Sequence, residues 1–206
     1  MTVAMPDDIL LATARHLRER LAAHAAGHAD SERDALECVA LADELIRMLA
    51  PAQTPALKLM WPTDYRFITQ KFGARPEYYA RFGLAGHEGI DIRAPSGSNV
   101  YACADGVVTM AGWHPTIKNH AYGVQIRVSH DTADGSFETM YAHLLEGSLR
   151  VQVGQEVKAG QLLGLADTTG NAGAAHLHLS LRKVGLANAY KGMVNPESFF
   201  IDGPAP

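Results

Sequence analysis

The chain has 206 residues, of which 47% are hydrophobic and 19% are charged, and its formal net charge is −4. This size and apolar content suffice for one sizeable core with an appended segment. No run of Lys or Arg stands out, so we do not expect nucleic acid as a partner. The sequence also contains neither an apolar stretch of about 20 residues nor a basic and apolar leader, so we predict no membrane span and no signal peptide. Cys38 and Cys103 lie in apolar patterns and are expected to be buried rather than paired.

Two amphipathic helices are predicted at the start of the chain. Pro6-Asp7-Asp8 is a helix-start signal, and apolar residues recur at helical spacing to about Ala26. Ser31-Glu32-Arg33-Asp34 resembles a capping box, and a second apolar stripe begins at Leu36. We therefore expect a helical hairpin with a linker over residues 1–55. Because its apolar seam must be buried, dimerisation through this hairpin is a hypothesis, which light scattering tests.

The pattern changes from about Leu59, where short apolar runs alternate with Gly, Pro and Asn. We expect a mainly β domain of sandwich or barrel type over residues 56–206, closed by a turn that begins at Asn195-Pro196, with Phe199 and Phe200 packing back. The predicted strands are Gly89–Arg93, Asn99–Ala104, Gly106–Ala111, Gly123–His130, Phe137–His143, Glu156–Val157, Leu162–Ala166 and His176–Leu181.

A short internal repeat runs through this region. Gly97–Ala102 and Gly154–Ala159 share the frame G-x-x-V-x-A, and a glycine that opens another apolar strand follows each of them. One short frame is a weak signal, but a duplicated fold would leave such a trace.

His176-Leu177-His178 is the most informative stretch. Glycines and a short polar loop lead into an alternating run, which indicates a turn followed by a strand, and residues two apart on a strand share a face. Their Cα atoms would lie about 6.6 Å apart, so one imidazole can hold a metal ion while the other reaches what the ion holds. A lone His-x-His is more often a pair of exposed strand histidines.

Two further segments favour a metal site. His87 and Asp91 lie in Gly86–Ile92, and His143 lies in Met140–Leu144. Imidazole and carboxylate are ordinary zinc ligands, and a catalytic zinc ion takes three protein groups and leaves one position for water. His87, Asp91 and one histidine of the strand pair would supply three ligands, and the residues alone leave open which histidine that is.

The chain resembles the lysostaphin/LytM-type zinc endopeptidases, which cut bacterial cell-wall peptides. The resemblance lies in the motifs and their order: His87-x-x-x-Asp91, then His143, then His176-x-His178. Gly89–Gly97 also follows the Gly-x-Asp-Ile-x-Ala-Pro-x-Gly stretch of that family. The resemblance covers about residues 60–182 and not the helical hairpin.

The resemblance implies a duplicated hybrid motif β-fold and a zinc-dependent endopeptidase. It implies one zinc ion per chain, bound by His87, Asp91 and His178, with His143 and His176 as acid/base and transition-state partners. The implied substrate is a peptidoglycan peptide, and the expected site of action is the bacterial cell wall. An exported protein, a phage-associated protein and a fragment of a larger protein each fit that expectation.

Several positions bear on substrate preference. Leu179-Ser180 and Ala174-Ala175 depart from the family pattern beside the histidine pair, so the scissile bond is left open between Gly-Gly and D-Ala joined to a diamino acid. His120 and Tyr122 lie in a polar loop and are candidates for peptide contacts, the alternative being an ordinary surface loop. His130 is expected to be structural. Glu88 is expected to face solvent because adjacent strand residues point to opposite faces.

Three other classes compete with the peptidase. A phosphocarrier domain of the glucose IIA type has a similar fold but needs only two facing histidines and no metal-binding aspartate. A non-catalytic wall-binding or scaffolding relative would have lost ligands. A lipoyl- or biotinyl-type carrier would need Lys158 at a hairpin tip. Bound zinc at near one ion per chain separates the peptidase from all three.

Overall fold

The computed structural model describes residues 56–117 and 120–201, together with residues 12, 13, 15, 16, 18 and 19, which are helical and exposed. The chain divides into two units, Met1–Gln53 and Thr54–Pro206. The predicted helical hairpin lies almost wholly outside the described residues, so the hairpin, the boundary at residue 55 and the dimerisation hypothesis stay predictions. None of the described helical residues belongs to a helix long and apolar enough to cross a bilayer.

The described part of the second unit is mainly β, as predicted. It contains strands β1 (Ile68–Gln70), β2 (Ile90–Arg93), β3 (Asn99–Tyr101), β4 (Gly106–Gly112), β5 (Val124–Thr132), β6 (Gly135–Leu144), β7 (Glu156–Val157), β8 (Leu162–Leu165), β9 (His176–Lys183) and β10 (Met193–Val194), the helix α1 (Pro76–Ala80) and a 3₁₀ helix (Pro196–Phe199). Each predicted strand is present, Glu156–Val157 with the predicted bounds and the others with one or both ends shifted. The sequence did not predict β1, α1 or β10.

The strands form one large antiparallel sheet in the order β1-β2-β9-β6-β5-β4-β7, with β10 pairing β9, and a small sheet of β3 and β8. Strand β9 lies between β2 and β6, although it follows both in the chain. Its leucines, Leu177, Leu179 and Leu181, are fully buried and alternate with His176, His178 and Ser180. The alternation therefore gives this strand one apolar face for the core and one polar face for chemistry.

The two copies of the G-x-x-V-x-A frame complete each other's sheets. Strand β3 of the first copy pairs with β8, which follows the second copy, and β7 of the second copy pairs with β4, which follows the first. The corresponding valines, Val100 and Val157, are both buried. This exchange of partners is what two related halves packed together would give.

The beginning and the end of the second unit pack side by side. Leu59 forms a parallel bridge with Phe200, and the Trp61 ring stacks on the Phe200 ring with centroids 4.3 Å apart. The Asn195 side chain accepts a hydrogen bond from the Glu197 N–H at 3.1 Å and starts the 3₁₀ helix, as predicted. Cys103 is buried with a free thiol, also as predicted.

Candidate metal centre

Adjacent strands bring the predicted site residues together. Asp91 on β2 lies directly opposite His178 on β9, and opposite residues in a sheet share a face. On the other side of β9, Ala142 of β6 lies opposite His178, so His143 follows next to the same strand. His87 precedes β2 and donates its backbone N–H to Ala74 O at 3.1 Å.

Three ligand atoms form a nearly equilateral triangle. His87 Nε2 lies 3.2 Å from Asp91 Oδ1 and 3.0 Å from His178 Nδ1, and His178 Nδ1 lies 3.0 Å from Asp91 Oδ1. Atoms about 2.0–2.1 Å from one ion at tetrahedral angles lie about 3.3 Å apart. The triangle is therefore close to the size that a tetrahedral zinc ion requires, and the two nitrogens and one carboxylate oxygen suit that ion.

Backbone carbonyls set the tautomers of three imidazoles. His87 Nδ1 lies 3.1 Å from Lys71 O, His143 Nδ1 lies 2.8 Å from Thr169 O, and His176 Nδ1 lies 2.8 Å from Ala174 O. A carbonyl oxygen can only accept, so each Nδ1 carries the proton and donates. Each Nε2 is then free to bind a metal ion or exchange a proton.

His178 is held differently. Its Nδ1 faces the triangle, and its buried Nε2 has no hydrogen-bond partner among the described residues. Gly89 lies against this ring, since a Cβ there would come within 2.8 Å of His178 Nε2 and Cε1. Neutral imidazole has one proton for its two nitrogens, so a metal ion bound through Nδ1 would place that proton on Nε2. Nδ1 is therefore the nitrogen of this ring that is positioned to bind an ion together with His87 Nε2 and Asp91 Oδ1.

His143 and His176 face each other beside the triangle, with ring centroids 4.7 Å apart. His143 has φ of 61°, in the left-handed region that residues other than glycine adopt at a cost, and such strain often occurs at functional sites. His176 Nε2 lies 3.5 Å from Asp91 Oδ1. The structure thus brings all five predicted site residues into one cluster.

The electrostatic environment shifts the pKa values of these groups in different directions. Burial raises the pKa of Asp91, but the imidazoles of His176, His178 and His87 beside its carboxylate outweigh burial and hold the net pKa well below its usual range. Burial lowers the pKa of His143 to about 4, against the hydrogen bond to Thr169. Burial also lowers the pKa of His176, but the interactions with Asp91 and Ala174 outweigh it and the net pKa is raised. At neutral pH, Asp91 is ionised and His143 is neutral.

The cluster lies in a groove of about 440 Å³. Its lining residues are Gln70, Arg75, Tyr78, Tyr79, Phe82, Leu84, His87, Glu88, Asp91, Ala121, Tyr122, His143, Asn171, Gly173, His176 and His178. Tyr122 stacks on the His178 ring with centroids 5.3 Å apart. Burial and the Glu88 carboxylate raise the pKa of Tyr122, whose O–H donates to Glu88 Oε2 at 3.3 Å. His120 packs against Tyr122 and is not among the lining residues.

The expectation for Glu88 was wrong. Glu88 is half-buried and lines the groove, because it precedes β2 and lies in a loop where strand alternation does not apply. His130 is structural, as predicted, since its Nδ1–H donates to Asp105 O at 2.7 Å and its Nε2 lies 2.8 Å from Thr139 Oγ1. The sequence analysis missed Arg75 and Tyr78. Pro76 was the available signal for the helix α1, because proline often occupies the first turn of a helix.

A family model described as Peptidase family M23 matches residues 85–196. The chain belongs to this family. The chain is 36% identical over 143 residues to DD-carboxypeptidase/endopeptidase Mpg of Neisseria meningitidis. This match covers 69% of this chain and 29% of Mpg. The chain is also 37% identical over 118 residues to glycyl-glycine endopeptidase ALE-1 of Staphylococcus capitis. This match covers 57% of this chain and 29% of ALE-1.

Two solved structures resemble the M23 domain. Lysostaphin from Staphylococcus simulans is 27% identical with a TM-score of 0.53, and the match covers 73% of this chain and 53% of lysostaphin. A zinc-containing peptidase from Vibrio cholerae is 31% identical with a TM-score of 0.51, covering 62% of this chain and 37% of that protein. The predicted family and fold class are confirmed. The chain spans less than a third of the length of the curated relatives that it matches.

Proposed function

We propose that this chain is a zinc-dependent endopeptidase that hydrolyses peptide bonds of bacterial peptidoglycan. The observation that carries the proposal is the triangle of His87 Nε2, Asp91 Oδ1 and His178 Nδ1, with sides of 3.0–3.2 Å, in a groove that His143 and His176 also line. Relatives of this chain, which include peptidoglycan DD-endopeptidases and a glycyl-glycine endopeptidase, support a cell-wall peptide as the substrate. The site of action would be the bacterial cell wall.

The three atoms of the triangle would hold one zinc ion per chain. Zinc supplies a bound water whose pKa falls to about 7 and an electrophile that polarises the scissile carbonyl. Asp91 would add the negative charge that offsets the ion. Lys71 O keeps the proton of His87 on Nδ1, which leaves Nε2 free as a ligand.

His143 and His176 would move the protons. Thr169 O and Ala174 O hold the Nδ1–H groups of these two imidazoles, so both Nε2 atoms remain available in the groove. One Nε2 would accept the proton of the attacking water, and the other ring, in its imidazolium form, would donate from Nε2 to the oxygen that gains negative charge. The facing arrangement of the rings supports this pair of roles without assigning one role to either ring.

Metal content and turnover test these roles. We expect the wild type to hold close to one zinc ion per chain, His178→Ala to lose it, and His143→Ala to retain it while losing at least about 100-fold in turnover, as is usual for an acid/base residue. Elemental analysis by mass spectrometry measures the metal, and digestion of defined wall peptides measures turnover. The reverse pattern would contradict the assignment.

A non-catalytic wall-binding relative gives a different result in the same experiment. Such a protein would leave wall preparations and wall peptides intact even when loaded with zinc. Weighing the digestion products by mass spectrometry identifies the cleaved bond. Membership of family M23 gives no support to a phosphocarrier of the glucose IIA type.

A further inference from the structure

One wall of the groove is formed by α1 and the residue before it. Arg75, Tyr78 and Tyr79 line the groove together with the five site residues. Arg75 is the only Lys or Arg among the described lining residues, and the other charged side chains there, apart from the histidines, are the carboxylates of Glu88 and Asp91. Arg75 is therefore the one described side chain of the groove with a permanent positive charge.

The backbone fixes this position relative to the metal centre. Ala74 O accepts the backbone N–H of His87 at 3.1 Å, which ties the residue before Arg75 to a proposed zinc ligand. Arg75 has φ of 54°, in the left-handed region, and its carbonyl accepts the N–H groups of Tyr78 and Tyr79 at 3.0 and 3.2 Å. The root of the Arg75 side chain is thus held at a defined place beside the ion site.

The guanidinium of Arg75 is exposed and lies over the Tyr78 ring, with Cζ 5.1 Å from the centroid. It has no carboxylate partner among the described residues. Elsewhere on the described surface, Arg127 pairs with Glu138 at 3.4 Å. A guanidinium presents N–H groups in a planar fork that binds a carboxylate through two parallel hydrogen bonds. The groove therefore offers a preformed position for a carboxylate.

We infer that Arg75 binds a free carboxylate of the peptide substrate next to the scissile bond. The inference rests on the proposed function and narrows its substrate class. A glycine bridge carries no charged group along its length. A cross-link from D-Ala to a diamino dicarboxylic acid carries a free carboxylate on the carbon that bears the acylated nitrogen. Arg75 would therefore make this chain prefer the anionic cross-link to a glycine bridge.

Binding to the metal-free protein tests this inference without turnover. The two probes are D-Ala joined to a diamino dicarboxylic acid and the same peptide with the neighbouring carboxylate converted to an amide. In EDTA, where the carboxylate has no ion to bind, calorimetry should show about tenfold or tighter binding of the carboxylate form by the wild type. Arg75→Gln should remove that difference, and Arg75→Lys should keep part of it.

Arg81→Gln is the matched control. The Arg81 guanidinium also lies over the Tyr78 ring, with Cζ 4.0 Å from the centroid, and its Nε donates to Tyr78 O at 3.0 Å, but Arg81 does not line the groove. This variant should keep the wild-type preference. Thermal unfolding of both variants separates a change in binding from a loss of fold.

Turnover by the zinc-loaded enzyme completes the test. The ratio of kcat/KM for the carboxylate and amide forms should be about 10 to 100 in the wild type and near 1 in Arg75→Gln. Equal loss on both peptides, or a wild type that shows no preference, would overturn the inference. If the wild type cleaves no wall peptide but the binding difference is present, the proposed function fails and the carboxylate site of Arg75 stands.

Discussion

Gly89 is the residue on which the position of the His178 ring depends. A Cβ at this position would come within 2.5 Å of Leu179 O and within 2.8 Å of His178 Nε2 and Cε1. Strand β9 is buried and paired on both sides, so its backbone cannot move away cheaply. The imidazole would have to rotate instead, and Nδ1 would leave the triangle.

We therefore predict that Gly89→Ala weakens zinc binding by about 10- to 100-fold, the range seen when groups that orient a ligand are changed. Competition with a chromogenic chelator measures the dissociation constant. Gly173→Ala is the matched control, because a Cβ at Gly173 meets nothing within 4 Å and its φ is not in the left-handed region. Unchanged zinc affinity in Gly89→Ala would contradict the role given to this glycine.

At the scale of elements, two loops interlock to hold His143. Thr169 accepts the Val124 N–H at 3.0 Å and donates to Leu144 O at 2.7 Å, while its carbonyl accepts from His143 Nδ1 at 2.8 Å. Thr169 thus joins the start of β5 to the end of β6 and orients the His143 imidazole. Gly123 lies against it, since a Cβ there would come within 2.3 Å of the Thr169 carbonyl carbon.

We predict that Gly123→Ala displaces the Thr169 carbonyl and lowers turnover by at least about tenfold. Zinc binding should stay unchanged, because the proposed metal ligands lie on β2, on β9 and in the loop before β2. Peptide digestion and metal analysis of the same sample measure both effects. Gly147→Ala controls for backbone strain, because Gly147 has φ of 77° and no neighbour within 4 Å of an added Cβ. If Gly147→Ala lost as much turnover, the loop contact would not be the cause.

The strands and the site were predictable for different reasons. Alternating apolar residues predicted β2, β5, β6 and β9 because each strand has one face in the core. The five residues that the structure brings into one cluster were predictable because metal chemistry restricts the residue types and the resemblance to the lysostaphin/LytM-type family gave their order. These signals are local in the sequence, and the antiparallel sheet preserves them.

The groove wall was not predictable in the same way. Strand β1 has three residues and α1 has five, none of them fully buried, so neither element has an apolar period to detect. Arg75 enters the groove because of a left-handed backbone and a loop hydrogen bond to His87, which depend on the folded chain. Glu88 was misplaced because strand alternation was extended to a residue that lies in the loop before β2.

For the whole molecule, His130 links stability to pH. Burial lowers the pKa of His130 more than the Asp105 carbonyl and the nearby carboxylates raise it. An unfolded histidine titrates near pH 6.5, so below about that pH the unfolded chain binds a proton that the folded chain does not. The stability attributable to neutral His130 is therefore complete above about pH 6.5 and falls as the pH drops toward the lower pKa of the folded state.

We predict that the free energy of unfolding falls by up to about 1.4 kcal/mol per pH unit below pH 6.5 through this one group. Urea unfolding at pH 7.5 and 5.5 measures the fall, with EDTA present so that metal binding does not contribute. His130→Asn lacks the titrating ring and should show a smaller difference between the two pH values. An identical pH dependence in both proteins would contradict this assignment.

The insertion of β9 between β2 and β6 has a consequence for biosynthesis. While the ribosome is still making residues before 176, β2 and β6 have no strand between them, and each has an unpaired edge. The last of the proposed ligands, His178, arrives on the same strand that fills the gap. A nascent or prematurely terminated chain is therefore prone to edge-to-edge association and cannot complete the candidate metal centre, which forms only after translation has passed the central strand.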